Sequence, residues 1–95
     1  MEHGVINNSS PEELRHFAAE VETYCNEVEA SLDDLIRNHK KIGAHWTGDQ
    51  YDQFSSKFAF IHKNVMQKIQ ELMDLKKYIL KKADELEAAR KISVD

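Results

Sequence analysis

The stretch Ile42-Gly43-Ala44-His45-Trp46-Thr47-Gly48-Asp49-Gln50 separates two halves that each have the pattern of a long helix. It contains two of the three glycines and the only tryptophan, whereas the single proline stands at position 11. Glycine and proline are the residues that most often mark turns. We therefore predict one turn at residues 43–47, between a helix over about 11–42 and a helix over about 48–90.

The residues around this turn carry the signals of a helix end and a helix start. Lys40-Lys41 places positive charge in the last turn of helix 1, and Gly43 is expected to close it in the left-handed conformation. Thr47-Gly48-Asp49-Gln50 has the form of a capping box for helix 2. Gly48 allows a tight turn into that helix because it has no Cβ. A connection this short makes the two helices run antiparallel.

Helix 1 is predicted from its start signal and its apolar spacing. In Ser10-Pro11-Glu12-Glu13, Ser10 suits the N-cap, Pro11 suits the first helical position, and Glu13 completes a capping box. Apolar residues then recur in alternating steps of four and three, which places them on one helical face. That row is Leu14, Ala18, Val21, Cys25, Val28, Leu32, Leu35, His39 and Ile42, and it is widened by Phe17, Tyr24 and Ile36.

Helix 2 is predicted from two rows of seven-residue spacing. The first row is Tyr51, Phe58, Val65, Leu72, Ile79 and Leu86. The companion row is Phe54, Ile61, Lys68, Leu75, Lys82 and Ala89, with Phe60 and Ile69 beside the rows. A lone two-helix hairpin has no second layer against which to bury stripes this wide. The sequence therefore predicts an all-α antiparallel hairpin that dimerises into a four-helix bundle.

We expect the apolar rows to form the contacts within and between hairpins. These interface residues are Leu14, Phe17, Val21, Tyr24, Cys25, Val28, Leu32, Leu35, His39, Tyr51, Phe54, Phe58, Ile61, Val65, Leu72 and Ile79. Within this set, Cys25 is expected to be a buried apolar group, because free cysteine is among the most buried residue types. His39 is expected to be a hydrogen-bonded histidine of the interface.

The charges of the two halves are complementary. Residues 12–34 contain eight acidic side chains and one basic residue, Arg15, whereas residues 57–82 contain seven lysines and only Glu71 and Asp74 as acids. Folding at the turn predicts an acidic helix beside a basic one, which favours orientation more than stability. Residues 1–9 and 91–95 are expected to be a flexible lead and tail, and the end of helix 2 from Lys81 is expected to overhang helix 1.

Several classes of protein do not fit this sequence. The longest apolar run is Phe58-Ala59-Phe60-Ile61, far short of the ~20 residues of a transmembrane helix. A net charge of −4 does not attract nucleic acid. No two of the five histidines have the spacing of three or four that a helical metal site needs, and no catalytic or phosphate-binding motif occurs. We therefore expect no enzyme activity, cofactor or metal.

The turn also contains the tripeptide Trp46-Thr47-Gly48, with the only tryptophan in the only turn between two helices. In length, hairpin layout and motif position the chain from about Ser10 to Arg90 resembles the WXG family of type VII secretion systems. The resemblance implies a helical hairpin that pairs with itself or with a related hairpin. It also implies export by a membrane ATPase-driven machine, with Trp46 and Gly48 defining the hairpin tip.

The route and partners are expectations from the same resemblance. The N-terminus lacks the pattern of a cleavable signal peptide, so we expect secretion by the type VII route after a cytoplasmic stage. The family's Tyr-x-x-x-Asp/Glu export signal is not found at Tyr24, Tyr51 or Tyr78. A partner would then supply it, or the protein acts as a partner or chaperone that stays cytoplasmic. A secretion ATPase or a larger secreted toxin are further expected partners. Two alternatives stay open: a cytosolic adaptor for a toxin domain, and a nucleic-acid-binding hairpin using the lysines at 76–82.

Overall fold

The computed structural model describes residues 10–94, with side chains to Lys91, and these residues form two helices. Helix α1 spans Pro11–Gly43 and helix α2 spans Asp49–Val94. They lie antiparallel, because Arg15 near the start of α1 contacts Glu87 near the end of α2, whereas His39 contacts Ser55 beside the turn. The hairpin is a rod of 71 × 23 × 17 Å. The prediction of an all-α two-helix hairpin is confirmed.

The start of α1 follows the sequence signals closely. The Glu13 backbone N–H donates to Ser10 Oγ at 3.0 Å, and the Ser10 N–H donates to Glu13 Oε1 at 2.9 Å. This reciprocal pair satisfies two backbone N–H groups that a helix start otherwise leaves without a partner. Pro11 occupies the first helical position and is buried. The capping box at Ser10 is therefore confirmed.

The two glycines of the turn exchange the roles that the sequence suggested. Gly43 is the last residue of α1, and only Gly48 has a positive φ, 104°, among the described residues. Gly43 is instead needed for a close approach: a Cβ there would lie 3.0 Å from Cζ of Tyr51 and closer still to its Oη. The prediction that Gly43 adopts the left-handed conformation is wrong, because Gly48 makes the reversal.

Helix α2 begins one residue later than predicted and ends four residues later. The Gly48 carbonyl accepts the first backbone hydrogen bond, from the Asp52 N–H at 3.0 Å, so Gly48 rather than Thr47 stands at the cap position. The helix continues to Val94 because residues 91–94 contain no glycine or proline to stop it, and Lys91 suits its last turn. The expected lead at 1–9 and residue Asp95 lie outside the described residues.

The core of the hairpin is a single layer of small and medium apolar side chains between the helices. Cys25 Sγ lies 3.9 Å from the Ile69 carbonyl oxygen, within hydrogen-bonding range for sulfur. Ile69, expected beside the main rows, thus belongs to the core. The buried apolar residues are Ala18, Val21, Cys25, Leu32, Ile69, Ile79 and Ala83. Alanines at two of these positions let the helix axes approach closely.

Ion pairs join the helices toward the chain termini. Lys76 Nζ lies 3.4 Å from Glu22 Oε1, as an acidic helix beside a basic one predicts. Arg15 is an exception, because here the basic residue is on α1 and the carboxylates are on α2. It donates to both Asp84 Oδ1, at 2.9 Å, and Glu87 Oε1, at 2.6 Å. Arg90 also reaches Glu12 at 3.8 Å. The contact between the helices extends beyond the predicted limit at Lys81, because Ala83 is buried and the long Arg90 side chain reaches Glu12, although α2, with 46 residues, is still longer than α1, with 33.

Candidate interaction surface

The residues predicted for the interface divide into three groups by exposure. Buried within the hairpin are Val21, Cys25, Leu32 and Ile79. Half-buried at the edge of the core are Leu14, Val28, His39, Tyr51, Phe58, Val65 and Leu72. Exposed are Phe17, Tyr24, Leu35, Phe54 and Ile61. The first two groups hold the two helices together, and the third remains open to solvent.

A long groove between the helices lies near the chain termini, and we call it the terminal groove. It has a volume of about 670 Å³. Its floor includes the buried Ile79, and its walls are mostly apolar, with Phe17 49% and Tyr78 57% exposed. The lining residues are Leu14, Phe17, Leu75, Tyr78, Ile79, Lys82, Glu85 and Leu86. This groove is a broad and mostly apolar concavity on the described part of the hairpin.

A second groove, the central groove, lies halfway along the hairpin and has a volume of about 390 Å³. Tyr24 and Ile61 stand on its opposite walls and are 56% and 55% exposed. The lining residues are Tyr24, Val28, Ile61, Asn64, Val65, Lys68, Ile69 and Leu72. Leu72 and Ile79 are seven residues apart in α2, so the two grooves open on the same side of the hairpin.

Leu35 is 53% exposed and stands 18 residues after Phe17, which is five helical turns, so it lies on the same side of α1. Together with Leu35, the two grooves form what we call the apolar face. Scattered exposed apolar residues are normal on a protein surface, but a continuous stripe of aromatic and aliphatic side chains along one side marks an interaction site. The described residues contain no unpaired polar side-chain atom buried beneath this face. The face is therefore shaped and apolar enough to receive another helix or helix pair.

Leu75, Tyr78 and Leu86 line the terminal groove, although the sequence did not place them among the interface residues. Leu75 and Leu86 belonged to the recognised seven-residue rows and could have been included on that basis. Tyr78 lies one residue before Ile79 in the row and carries no such signal. Tyr78 lines the groove because the apolar surface of α2 extends sideways beyond the row of residues that faces α1.

An aromatic cluster fills the tip of the hairpin. The His39 ring stacks on Tyr51 at 5.4 Å between centroids and lies 5.0 Å from Phe58. His39 Nε2 is 3.0 Å from Ser55 Oγ, so the imidazole is hydrogen-bonded as expected. Trp46 meets Tyr51 edge-on at 5.4 Å and lies 5.6 Å from Phe54. The tryptophan thus seals the open end of the core, with 37% of its surface still exposed.

The ionisable groups at the far end of the hairpin show the clearest electrostatic effects. The hydrogen bond from Arg15 holds the pKa of Glu87 below its ordinary value, and the Arg15 charge adds to that effect. Hydrogen bonds to Asp84 and Glu87 raise the pKa of Arg15. At the edge of the terminal groove, the hydrogen bond and charge of Glu85 raise the pKa of Lys82. These groups stay charged near neutral pH, and the contacts of Arg15 join the two helices.

The geometry also bears on a metal site, a nucleic-acid site and a membrane-spanning helix. No group of three histidine, cysteine or acidic side chains within residues 10–91 is arranged to hold a metal ion. In the basic stretch of α2 considered for nucleic-acid binding, Lys76 is bound to Glu22 and Lys82 to Glu85, whereas Lys77 and Lys81 are exposed. Over the described length of the chain, neither helix is long and apolar enough to cross a membrane.

A two-helix hairpin with one open apolar face and a Trp-x-Gly tip defines a class of small helical-hairpin proteins. The family model for WXG100, described as proteins of 100 residues with WXG, matches residues 8–89. The chain therefore belongs to the WXG100 family, small helical proteins of type VII secretion that are not known as enzymes. A comparison with curated proteins finds no match.

Proposed function

We propose that this protein acts in type VII secretion as an exported substrate or as the partner or chaperone of one, through pairing of its apolar face. The observation that carries the proposal is the exposure of Phe17, Tyr24, Leu35 and Ile61 along one side of the folded hairpin. Their side chains are each about half exposed. A partner that covers the exposed half of each side chain would stabilise a complex, since full burial of such side chains contributes about 1.5–3 kcal/mol each.

The occupant best suited to the face is another helical hairpin. Two grooves in line along a 71 Å rod require a long, straight ligand, and a second hairpin laid lengthwise provides one. The resulting four-helix bundle buries both apolar faces at once. WXG100 proteins pair with related helical proteins, which supports this choice.

Family membership supports the proposal of export. Tyr24, Tyr51 and Tyr78 are not followed four residues later by Asp or Glu, so we propose that the paired chain supplies a signal of that form. A membrane ATPase then recognises the pair rather than this chain alone. A chain that pairs without being exported acts as a cytoplasmic partner of a secreted protein, including a larger toxin.

The pairing surface can be tested with two neighbouring substitutions. Ile61→Asp places a carboxylate in the central groove, whereas Phe60→Asp changes the adjacent and more exposed residue, at 66%, which lines neither groove. Both positions are largely solvated in the single hairpin, so we expect both variants to keep wild-type helicity by circular dichroism. We expect Ile61→Asp to weaken association at least about 100-fold, because a buried unpaired charge is costly.

Sedimentation velocity over a range of concentrations measures that association, alone and with the products of neighbouring genes. Phe60→Asp is expected to behave as the wild-type protein. Equal effects of the two substitutions would contradict the apolar face as the pairing surface. Appearance of the wild-type protein in culture medium, dependent on the secretion ATPase and lost with Ile61→Asp, tests the link between pairing and export.

A further inference from the structure

The apolar face has an acidic edge along α1. Glu13, Glu20, Glu27 and Asp34 follow one another at seven-residue spacing, which places them in a line along the helix. Glu20 and Glu27 line a shallow surface that includes Tyr24, and Tyr24 also forms a wall of the central groove. The line of carboxylates therefore runs beside the apolar face.

Two of these carboxylates are available to a partner. Glu13 is held by the Ser10 capping box and Asp34 by Arg37. Glu20 has only His16, at 3.7 Å, which is a counter-ion only when its imidazole is protonated. Glu27 has no ion pair or side-chain hydrogen bond among the described residues. Negative charge that the hairpin does not neutralise is thus concentrated at Glu20 and Glu27.

On the opposite edge of the face, the two α2 lysines that line the grooves already have carboxylate partners, and the exposed Lys57 lies nearer the tip than Glu20 and Glu27. Lys68 lines the central groove and lies 3.3 Å from Glu71, and Lys82 lines the terminal groove and lies 3.2 Å from Glu85. Each lysine already has a carboxylate one helical turn away. Around these two lysines the α2 edge is close to neutral, whereas the α1 edge at Glu20 and Glu27 is negative.

A second copy of this chain fits the face poorly in either symmetric arrangement. With the hairpin tips at opposite ends, α1 lies on α1 of the copy, and Glu20 and Glu27 face the same acids. With the tips at the same end, α1 lies on α2 of the copy, and Glu27 meets Lys68 already bound to Glu71. All neighbouring helices are antiparallel in both arrangements, so helix dipoles do not distinguish them and the edge charges decide.

We infer that the occupant of the apolar face is a different helical hairpin, with free lysine or arginine along the edge that meets α1. The inference rests on the proposed pairing function and chooses the partner's chemistry. Opposite charges at the rim of an interface select the partner and speed its association, while apolar contacts supply most of the affinity. The acidic edge therefore disfavours self-pairing and favours a basic-edged hairpin.

The chain itself can be converted into a basic-edged probe by the double substitution Glu20→Lys/Glu27→Lys. Wild-type protein labelled with a dye at its N-terminus is titrated with unlabelled wild type, with this probe, and with Asp33→Lys/Asp74→Lys. That last variant has the same net charge as the probe, but its lysines lie at exposed positions that line neither groove. Fluorescence anisotropy measures the binding of each.

We expect the probe to bind about tenfold tighter than unlabelled wild type or the control variant, since each exposed rim pair contributes a factor of a few. The difference is expected to disappear near about 1 M salt, where the screening length falls to about 3 Å. Wild type that binds itself as tightly as it binds the probe would overturn the inference. So would equal binding of the probe and the control variant, which reports net charge alone, or weaker binding of the probe.

Failure of the proposed function gives a different result. Introducing Ile61→Asp into the labelled chain is expected to abolish binding of every titrant, because it alters the apolar face itself. Retained binding would contradict pairing through that face. Absence of binding in all titrations of the unaltered labelled chain would contradict both proposals.

Discussion

Gly48 is the residue on which the chain reversal depends. Its φ of 104° is a conformation that residues with a Cβ rarely adopt, and no other atom approaches the position where a Cβ would stand. The cost of a substitution there is therefore backbone strain and not a steric clash with neighbours. Gly43 is the opposite case, since its backbone is helical and the ring of Tyr51 occupies the space of a side chain.

Gly48→Ala is expected to lower the free energy of unfolding by about 1–3 kcal/mol, the usual strain of a side chain at positive φ. Gly48→Asn is the matched comparison, because asparagine enters the left-handed region more readily than alanine. Chemical denaturation followed by circular dichroism should rank the three proteins glycine, asparagine, alanine in falling stability. An alanine variant as stable as the wild type would show that this turn relaxes to another conformation.

At the scale of the helices, Arg15 joins the start of α1 to the end of α2 through Glu87 and Asp84. The pKa of Glu87 is lowered chiefly by its hydrogen bond from Arg15, so the folded state prefers the carboxylate. A depressed pKa contributes stability that is fully present above the ordinary value of 4.5 and is lost as the pH falls through the lowered folded value.

We therefore expect Glu87→Gln to be less stable than the wild type at neutral pH, and the two proteins to converge as the pH falls below 4.5 and through the lowered pKa of Glu87 in the folded state. Unfolding midpoints recorded in steps from pH 7 to pH 3 measure the difference. Glu85→Gln is a suitable control, since Glu85 pairs with Lys82 of its own helix and does not join α1 to α2. A wild-type advantage that stays constant across this range would exclude the Arg15–Glu87 pair as its source.

The element pattern could be predicted from the sequence because the information is local. Ser10, Pro11 and Glu13 are cap residues whose effect depends on their own backbone, and the apolar spacing depends only on helix geometry. The roles of Gly43 and Gly48 could not be assigned in this way, because both sit near helix ends. The contact of Gly43 with Tyr51 and the positive φ of Gly48 are seen only in the folded hairpin. Ile69 was misplaced for a similar reason: the seven-residue rows do not show which flank of α2 turns toward α1.

The same limit applies to the candidate site. The sequence predicted that apolar residues exceed what one hairpin can bury, and the exposed Phe17, Tyr24, Leu35 and Ile61 agree with that expectation. It did not separate these residues from Val21 and Cys25, which the hairpin buries by itself. That separation depends on the angle at which the two helices meet, which no single helix encodes.

At the scale of the whole molecule, pairing should make thermal stability depend on protein concentration. A partner that binds the folded hairpin and not the unfolded chain stabilises the fold by mass action. For wild-type protein mixed with an equimolar basic-edged probe, we expect the midpoint to rise by about 5–10 °C between about 1 µM and about 100 µM. Differential scanning fluorimetry measures this midpoint. When both the wild type and the probe carry Ile61→Asp, the midpoint of the mixture should not change with concentration.

The aromatic cluster at the tip has a consequence for how the chain finds its fold. His39 and Ser55 are only 16 residues apart, whereas Arg15 and Glu87 are 72 apart. Closing the shorter loop loses less chain entropy, so the contacts around Trp46 are the ones expected to nucleate folding. The contacts between the helices are then expected to form progressively from the tip toward the termini. The order reverses on unfolding: the ion pairs of Arg15 and Arg90 break first, and the contacts around Trp46 break last.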